Sequence, residues 1–394
     1  ILIILCCLKS FPLWSYNVNM IVEHYSVDQG LPNNTVNCTL KDRDGFIWFG
    51  TWYGLCCFDG VKFKTFNKQE HDSDVPPRKI QRIVEDKNGY IWVKTIDRKL
   101  YVFNKVTECF HAVYDDMKNY SENIQVIKLQ NTAEGDVLLL TKDKNLLLAG
   151  VDEKGQVTIK ILFDSRDEIN KHDYTLKHHV LCETEEYISW IGTDYKVSAV
   201  HKGAELASRP ADFITSKINS GDKDSFTSFF EDGRKVWVGD RAGIFYSIDV
   251  RTGLVNRYVL SEIKGAISNL LVTPAGYVYL SVAGQGTYEY DLAERRLQKI
   301  NTEMNDAMVT HAFIDQYDKI WFHENEKALI YYDPLNHTAK RFPFTMFGKI
   351  TTLYSEDAGE RGLFFLSPAG EAWLFDREHA EMVYINKLKQ LSND

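Results

Sequence analysis

Short apolar bursts separated by polar turns run the length of the chain, and the bursts repeat. A cluster of acidic or turn residues containing Gly leads into an apolar stretch centred on one large side chain. A small or polar turn follows, then a second apolar stretch, often closed by Asp. The fullest copies are DRDGFIWFGT at 42–51, EDKNGYIWVKT at 85–95 and EDGRKVWVGD at 231–240; those at 183–194 and 315–324 also keep the Trp. Copies at 133–142, 273–282 and 357–367 replace it. The central positions are Trp48, Trp92, Leu138, Trp190, Trp237, Tyr279, Trp321 and Phe364, spaced 42 to 52 residues apart. Self-similarity at such a period is the mark of a repeat architecture.

Each period predicts four strands, shown best by the first copy: 36–41, 46–51, 55–59 and 62–66. Asp44-Gly45 and Asp59-Gly60 supply turns, because Gly takes the positive φ that tight hairpins require. No helical periodicity of useful length interrupts the series, a charged tail near 387–394 aside. Short antiparallel strands in this number leave a sandwich or a propeller. A sandwich does not explain why the same strand of every unit carries the large residue. A propeller does, since each blade stacks on the next and that residue fills the joint. The expectation is an all-β fold, a β-propeller of seven four-stranded blades over residues 18–346. An eighth repeat at 347–394 either begins a second propeller or completes an eight-bladed ring. A strand at 21–26 would help to close the last blade.

Composition agrees with strands. The 394 residues include 8 Trp, 21 Tyr and 22 Phe, which pack well on pleated faces. A net charge of −9 argues against nucleic acid, which needs concentrated Lys and Arg. Seven Cys show no metal-ligand spacing, and adjacent Cys56 and Cys57 point to opposite faces of a strand, so they read as packing residues. The opening run ILIILCCL is too short to span a bilayer, which takes ~20 residues. Residues 1–17 fit a secretory signal peptide or an N-terminal anchor.

The run YSVDQGLPNNTVNCTLKDRDGFIWFGTWYGLCCFDG at 25–60 resembles the first blade of the two-component-regulator propeller family. The resemblance rests on Gly30-Leu31-Pro32, Asp44-Gly45, Ile47-Trp48, Gly50-Thr51, Gly54-Leu55 and Phe58-Asp59, and recurs more weakly over about 20–376. It implies the periplasmic sensor region of a Bacteroidetes-type hybrid two-component histidine kinase: two seven-bladed propellers, an immunoglobulin-like domain, a membrane span and cytoplasmic kinase parts. This chain then corresponds to the first propeller and the opening of the second, a piece of a longer sensor, with kinase activity residing elsewhere. The implied ligand is an oligosaccharide, sensed to control polysaccharide-utilisation genes. A homodimer of the full-length sensor is implied, no cofactor is, and membrane attachment comes only through N-terminal or further segments.

Chemistry that would contradict a binding role is weak. Asp42-x-Asp44-Gly45 lacks the Glu that a calcium loop needs at its twelfth position, which is Tyr53. His71-Asp72-Ser73-Asp74 reads as a solvated loop, and His178-His179 lacks a third ligand. The alternative is a propeller glycoside hydrolase or lyase using two carboxylates from different blades. In a blade, the turn between the second and third strands lies on the same face as the link into the next blade. Function tends to collect on such loops. Those turns supply the candidate ligand residues Trp52, Tyr53, Asp97, Arg98, Asp194, Tyr195, Asp240, Arg241, Gln285 and His323. Aromatic rings for the C–H face of a pyranose and polar groups for its hydroxyls are what sugar recognition needs.

Overall fold

The computed structural model describes residues 25–66, 76–118, 125–142, 145–163, 181–184, 186–191, 196–203, 213–217, 226–300, 309–324, 327–347, 354–357, 362–366 and 371–387. The proposed leader at 1–17 lies outside them. Eight antiparallel four-stranded sheets follow one another, each a meander whose strands pair in chain order. They span 36–66, 80–112, 126–163, 181–217, 226–258, 267–299, 309–343 and 354–387. The fold is an all-β propeller architecture with the expected eight repeats. In the first sheet the strands are Val36–Lys41, Ile47–Thr51, Gly54–Phe58 and Phe63–Phe66, within a residue or so of the hydrophobic pattern.

The repeated Trp is held by a repeated Asp. In the first hairpin of the second sheet, Asp86 Oδ1 accepts the N–H groups of Asn88 and Tyr90, while Oδ2 accepts Trp92 Nε1 at 2.9 Å. Asp42 does the same for Trp48 at 2.8 Å, Asp232 for Trp237 at 2.7 Å, and Asp315 for Trp321 at 3.4 Å. A buried indole N–H needs an acceptor, and this carboxylate provides one while it shapes the turn. Where Thr132 and Thr273 take the Asp position, Leu138 and Tyr279 take the Trp position. Tyr279 instead donates its hydroxyl to Glu289.

The large side chains fill joints. Trp48 packs with Ile83, Val93 and Phe103 of the second sheet; Trp92 packs with Leu129, Leu139 and Leu147 of the third. Trp237 meets Leu270, Leu280 and Tyr288 of the sixth. These contacts lie in the larger of two compact units, residues 25–325 with 330–339. The smaller unit includes residues 340–347 and the eighth sheet. In it Phe347 meets Trp373 edge-on at 4.8 Å and Phe342 meets Phe375 at 5.8 Å.

Three expectations need correction. Phe364 is only half-buried, and its neighbours Leu363 and Phe365 are the buried ones, because alternate residues of a strand face opposite sides. Tyr25 and Ser26 are not in a strand; Ser26 caps a 3-10 turn at Val27–Gln29, and the eighth sheet pairs its own four strands. The rest of that predicted strand, 21–24, lies outside the described residues. A one-turn helix, Tyr114–Met117, sits in the link between the second and third sheets, too short to leave a periodic signal. Cys56 is fully buried and burial pushes its thiol up to about 12, as a packing residue should behave.

Candidate functional site

The turns between second and third strands are tied together by main chain. Trp52 N–H donates to Thr35 C=O, and Lys79 N–H donates to Trp52 C=O. Ile96 N–H donates to Lys79 C=O, Val126 N–H to Arg98 C=O, and Lys142 N–H to Gln125 C=O. Each turn therefore bonds to the segment entering its own sheet or the next. This run covers the first three sheets and places Trp52 and Arg98 on one face. In the sixth sheet Ala283 N–H likewise donates to Ala266 C=O.

Because backbone carries this end, several side chains are left outward. Tyr53 is two-thirds exposed and Trp52 about one-third; Lys79 Nζ lies 5.1 Å from the Trp52 ring centroid. Arg98 sits at φ +67° and Arg241 is exposed. Asp97 accepts the Thr95 hydroxyl and pairs with Lys99 at 3.5 Å. Below Arg98, Lys94 is buried and donates to Gln81; burial, then the nearby Arg98 charge, holds its ammonium below the ordinary lysine value.

Other predicted residues do local work. Asp240 is buried, and its Oδ1 accepts the Ala242 and Ile244 N–H groups. Burial raises its pKa, against the hydrogen bonds that lower it. Gln285 Oε1 accepts Lys264 N–H at 2.7 Å, and its Nε2 donates to Glu262 C=O, so it braces the loop into the sixth sheet. His323 is half-buried opposite His311, and burial with that neighbour's charge holds its imidazole low. Asp194 and Tyr195 lie outside the described residues.

The opposite end is held by charge. Lys105 Nζ lies 2.8 Å from Asp42, 3.1 Å from Asp44 and 2.7 Å from Glu85. Burial alone would raise Asp42, but hydrogen bonds from Lys105, Trp48 and Phe46 outweigh it and hold the carboxyl below its usual range. Lys105 is lowered by burial and raised by the three carboxylates, with a net rise. The same device recurs two sheets on, where Lys202 Nζ meets Glu134 at 2.9 Å and Glu183 at 2.6 Å. Lys105 and Lys202 each follow their sheet's third strand by one residue. Aligning the repeats on their third strands brings Lys105 and Lys202 to one position, which is the signal of this latch in the sequence. Asp42, Asp44 and Glu85 have the proximity of a metal cluster, yet Lys105 already supplies their cation.

Cavities lie between the sheets. One of about 460 Å³ at the second and third sheets includes Tyr90, His111, Asp116 and Gln156; one of about 360 Å³ at the third and fourth includes Glu134, His201 and Lys202. His111 Nε2 lies 2.7 Å from Asp116 Oδ2, a pair with no signal in sequence because Asp116 belongs to the link helix. No helix among the described residues is long and apolar enough to cross a membrane.

Residues 30–53 match the two component regulator propeller family. No curated protein matches the chain. Among solved structures, the Dos1 propeller aligns with a TM-score of 0.53 at 13% identity, over 84% of this chain and 90% of that one. The extracellular domain of the putative one component system BT4673 from B. thetaiotaomicron aligns at 14% identity with a TM-score of 0.37, over 92% of this chain. This chain spans 62% of that domain's length. Virginiamycin B lyase from Staphylococcus aureus aligns at 10% identity with a TM-score of 0.42, over 76% of this chain and 94% of that one.

Proposed function

The chain carries the two-component-regulator propeller repeat, and from that premise we propose that it is the extracytoplasmic ligand-sensing part of a hybrid two-component sensor kinase. The matched segment, 30–53, ends on the turn that presents Trp52 and Tyr53, and this coincidence carries the reading. The ligand is an oligosaccharide held by the second-to-third turns: Trp52 and Tyr53 offer ring faces, and Asp97, Arg98 and Arg241 offer hydrogen-bonding edges. His323 belongs to the same set, as do Asp194 and Tyr195 by their place in the sequence repeat, while Asp240 and Gln285 act there through the turns they brace. Binding biases one of two arrangements of a dimer, and the shift is limited by the difference in affinity for the two. The kinase parts lie in segments beyond this chain, and the propeller faces the periplasm.

The test is calorimetry with purified protein and a panel of plant and host glycans. Alanine at Trp52, Tyr53 and Arg241 should weaken binding of the responding glycan without lowering the melting temperature. Unchanged affinity removes this face. The competing reading, a polysaccharide hydrolase or lyase, needs an available acid or base. Asp240 is instead engaged by backbone N–H groups. Release of shortened glycan by the wild type would favour the enzyme.

A further inference from the structure

The joint between the second and third sheets is built differently from its neighbours. Where the adjoining joints have Lys105 and Lys202, Asp152 follows the third strand and spends its Oδ1 on Lys154 and Gln156 N–H groups. Where they have Glu85 and Glu183, this joint has Asn131. Among the described residues no lysine follows the third strand here; Lys87 pairs with Asp136 at 2.8 Å across the first hairpins, and a cleft of about 460 Å³ opens beside the second-sheet strands. That volume falls within the usual range for small-molecule sites, roughly 300–1,000 Å³.

Its walls are fixed. Val113 and Met117, fully buried in the joint's core, anchor the one-turn helix that brings Asp116 against His111 at 2.7 Å. The floor is apolar, formed by Val102, Val151 and Val157. Around it stand the Tyr90 side chain, the His111–Asp116 pair and Gln156. Gly155 belongs to this wall at φ +81°, and a Cβ there would come 3.3 Å from the Tyr90 hydroxyl.

Charge narrows the ligand. No Lys or Arg lines the cleft, which disfavours an anion, and its one lining carboxylate already has an imidazole partner, which disfavours a cation. An apolar floor ringed by donors and acceptors suits a ring with one C–H face and hydroxyl edges. We propose that this cleft binds a neutral, pyranose-sized polyhydroxylated ring, with the His111–Asp116 pair engaging adjacent hydroxyls. The site is separate from the turn face and does not rest on the reading given to that face.

The probes are glucose, galactose, mannose and N-acetylglucosamine, followed by saturation-transfer NMR on the sugar and by the His111 ring resonances. At least one sugar should give saturable transfer and shift those resonances. His111→Ala and Asp116→Ala should each weaken it about tenfold, the loss of a charge-assisted hydrogen bond. Gln156→Trp, on an exposed hairpin at the mouth, should abolish binding while leaving the melting temperature unchanged. The sugar-induced His111 shift should persist in Trp52→Ala with Arg241→Ala, whatever the turn face contributes to saturation transfer, which separates this site from the turn face. The proposal is overturned if no neutral sugar shifts the His111 resonances, if glucuronate or glucosamine binds better, if Gln156→Trp still shows the shift, or if the turn-face pair abolishes it.

Discussion

The two ends of the sheets solve the same problem, joining one sheet to the next, by different means. At the first-hairpin end, side chains do most of it: Asp42 accepts from Trp48, and Lys105 draws together acids from two sheets, beside a main-chain bond from Lys87 N–H to Gly135 C=O. At the second-to-third-turn end, main chain does it, through bonds such as Lys79 N–H to Trp52 C=O and Val126 N–H to Arg98 C=O. A backbone bond is indifferent to the side chain it carries. The second end is therefore free to vary its side chains without loosening the fold, which is what a ligand surface requires. The first end lacks that freedom, since changing Asp42 strands the Trp48 indole and takes one of three carboxylates from Lys105.

The comparison breaks most visibly at the first end. Trp92→Ala empties a fully buried site in the joint and should cost about 3–5 kcal/mol, read as a large fall in melting temperature. Lys105→Met leaves Asp42 without its cation and Glu85 with only Arg43, and should cost about 2 kcal/mol, less than a wholly buried pair because Lys105 is partly exposed. Its pH dependence is a second reading of the same change. Asp42 is lowered in the folded state, so its contribution is present above the ordinary carboxyl range and is lost as pH falls through its lowered value. Lys105 is raised, so its contribution is present below the ordinary lysine value and fades only as pH rises through the raised one. The variant should therefore show a weaker acid-side loss than wild type in melting curves taken from neutral pH downward.

At the second end the expected stability effects are small. Trp52→Ala should leave the melting temperature within the scatter of surface substitutions, about 0.5 kcal/mol, while glycan affinity falls several-fold. A fall in stability as large as that of Lys105→Met would erase the distinction between the ends. The smallest effect belongs to Asp240→Asn. Burial raises the folded Asp240 pKa, so ionisation at neutral pH opposes folding, and Asn keeps the oxygen that Ala242 and Ile244 use. The Asn variant should melt no lower than wild type at neutral pH, and wild type should approach it as pH falls.

Much of the fold was legible because its signals are local. Asp-Gly turns, alternating apolar residues and a recurrent Trp each act within one hairpin, and together they located the strands of the first sheet to within a residue or so. The turn face was legible in part. Topology alone says which turns share an end, and the bonds from Lys79 and Val126 agree with it. It does not say which side chains there are spent, so Asp240 and Gln285 looked as available as Trp52. Their commitments run to Ile244 and to the loop at Glu262–Lys264, set by how each turn folds back.

By itself the sequence determined the repeat, its period, its four strands and, at Trp48, Trp92 and Trp237, the residue that fills the joint, because hydrophobic periodicity and turn chemistry depend on neighbours along the chain. Tertiary structure alone decided what happens between repeats. Lys105 meets Asp42 across 63 positions, and Asp116 meets His111 only because a short helix is pinned by Val113 and Met117. Such partners are chosen by the stacking of one sheet on another; the latch lysine shows only when the repeats are aligned on their third strands, and the His111–Asp116 pair leaves no mark in the order of residues.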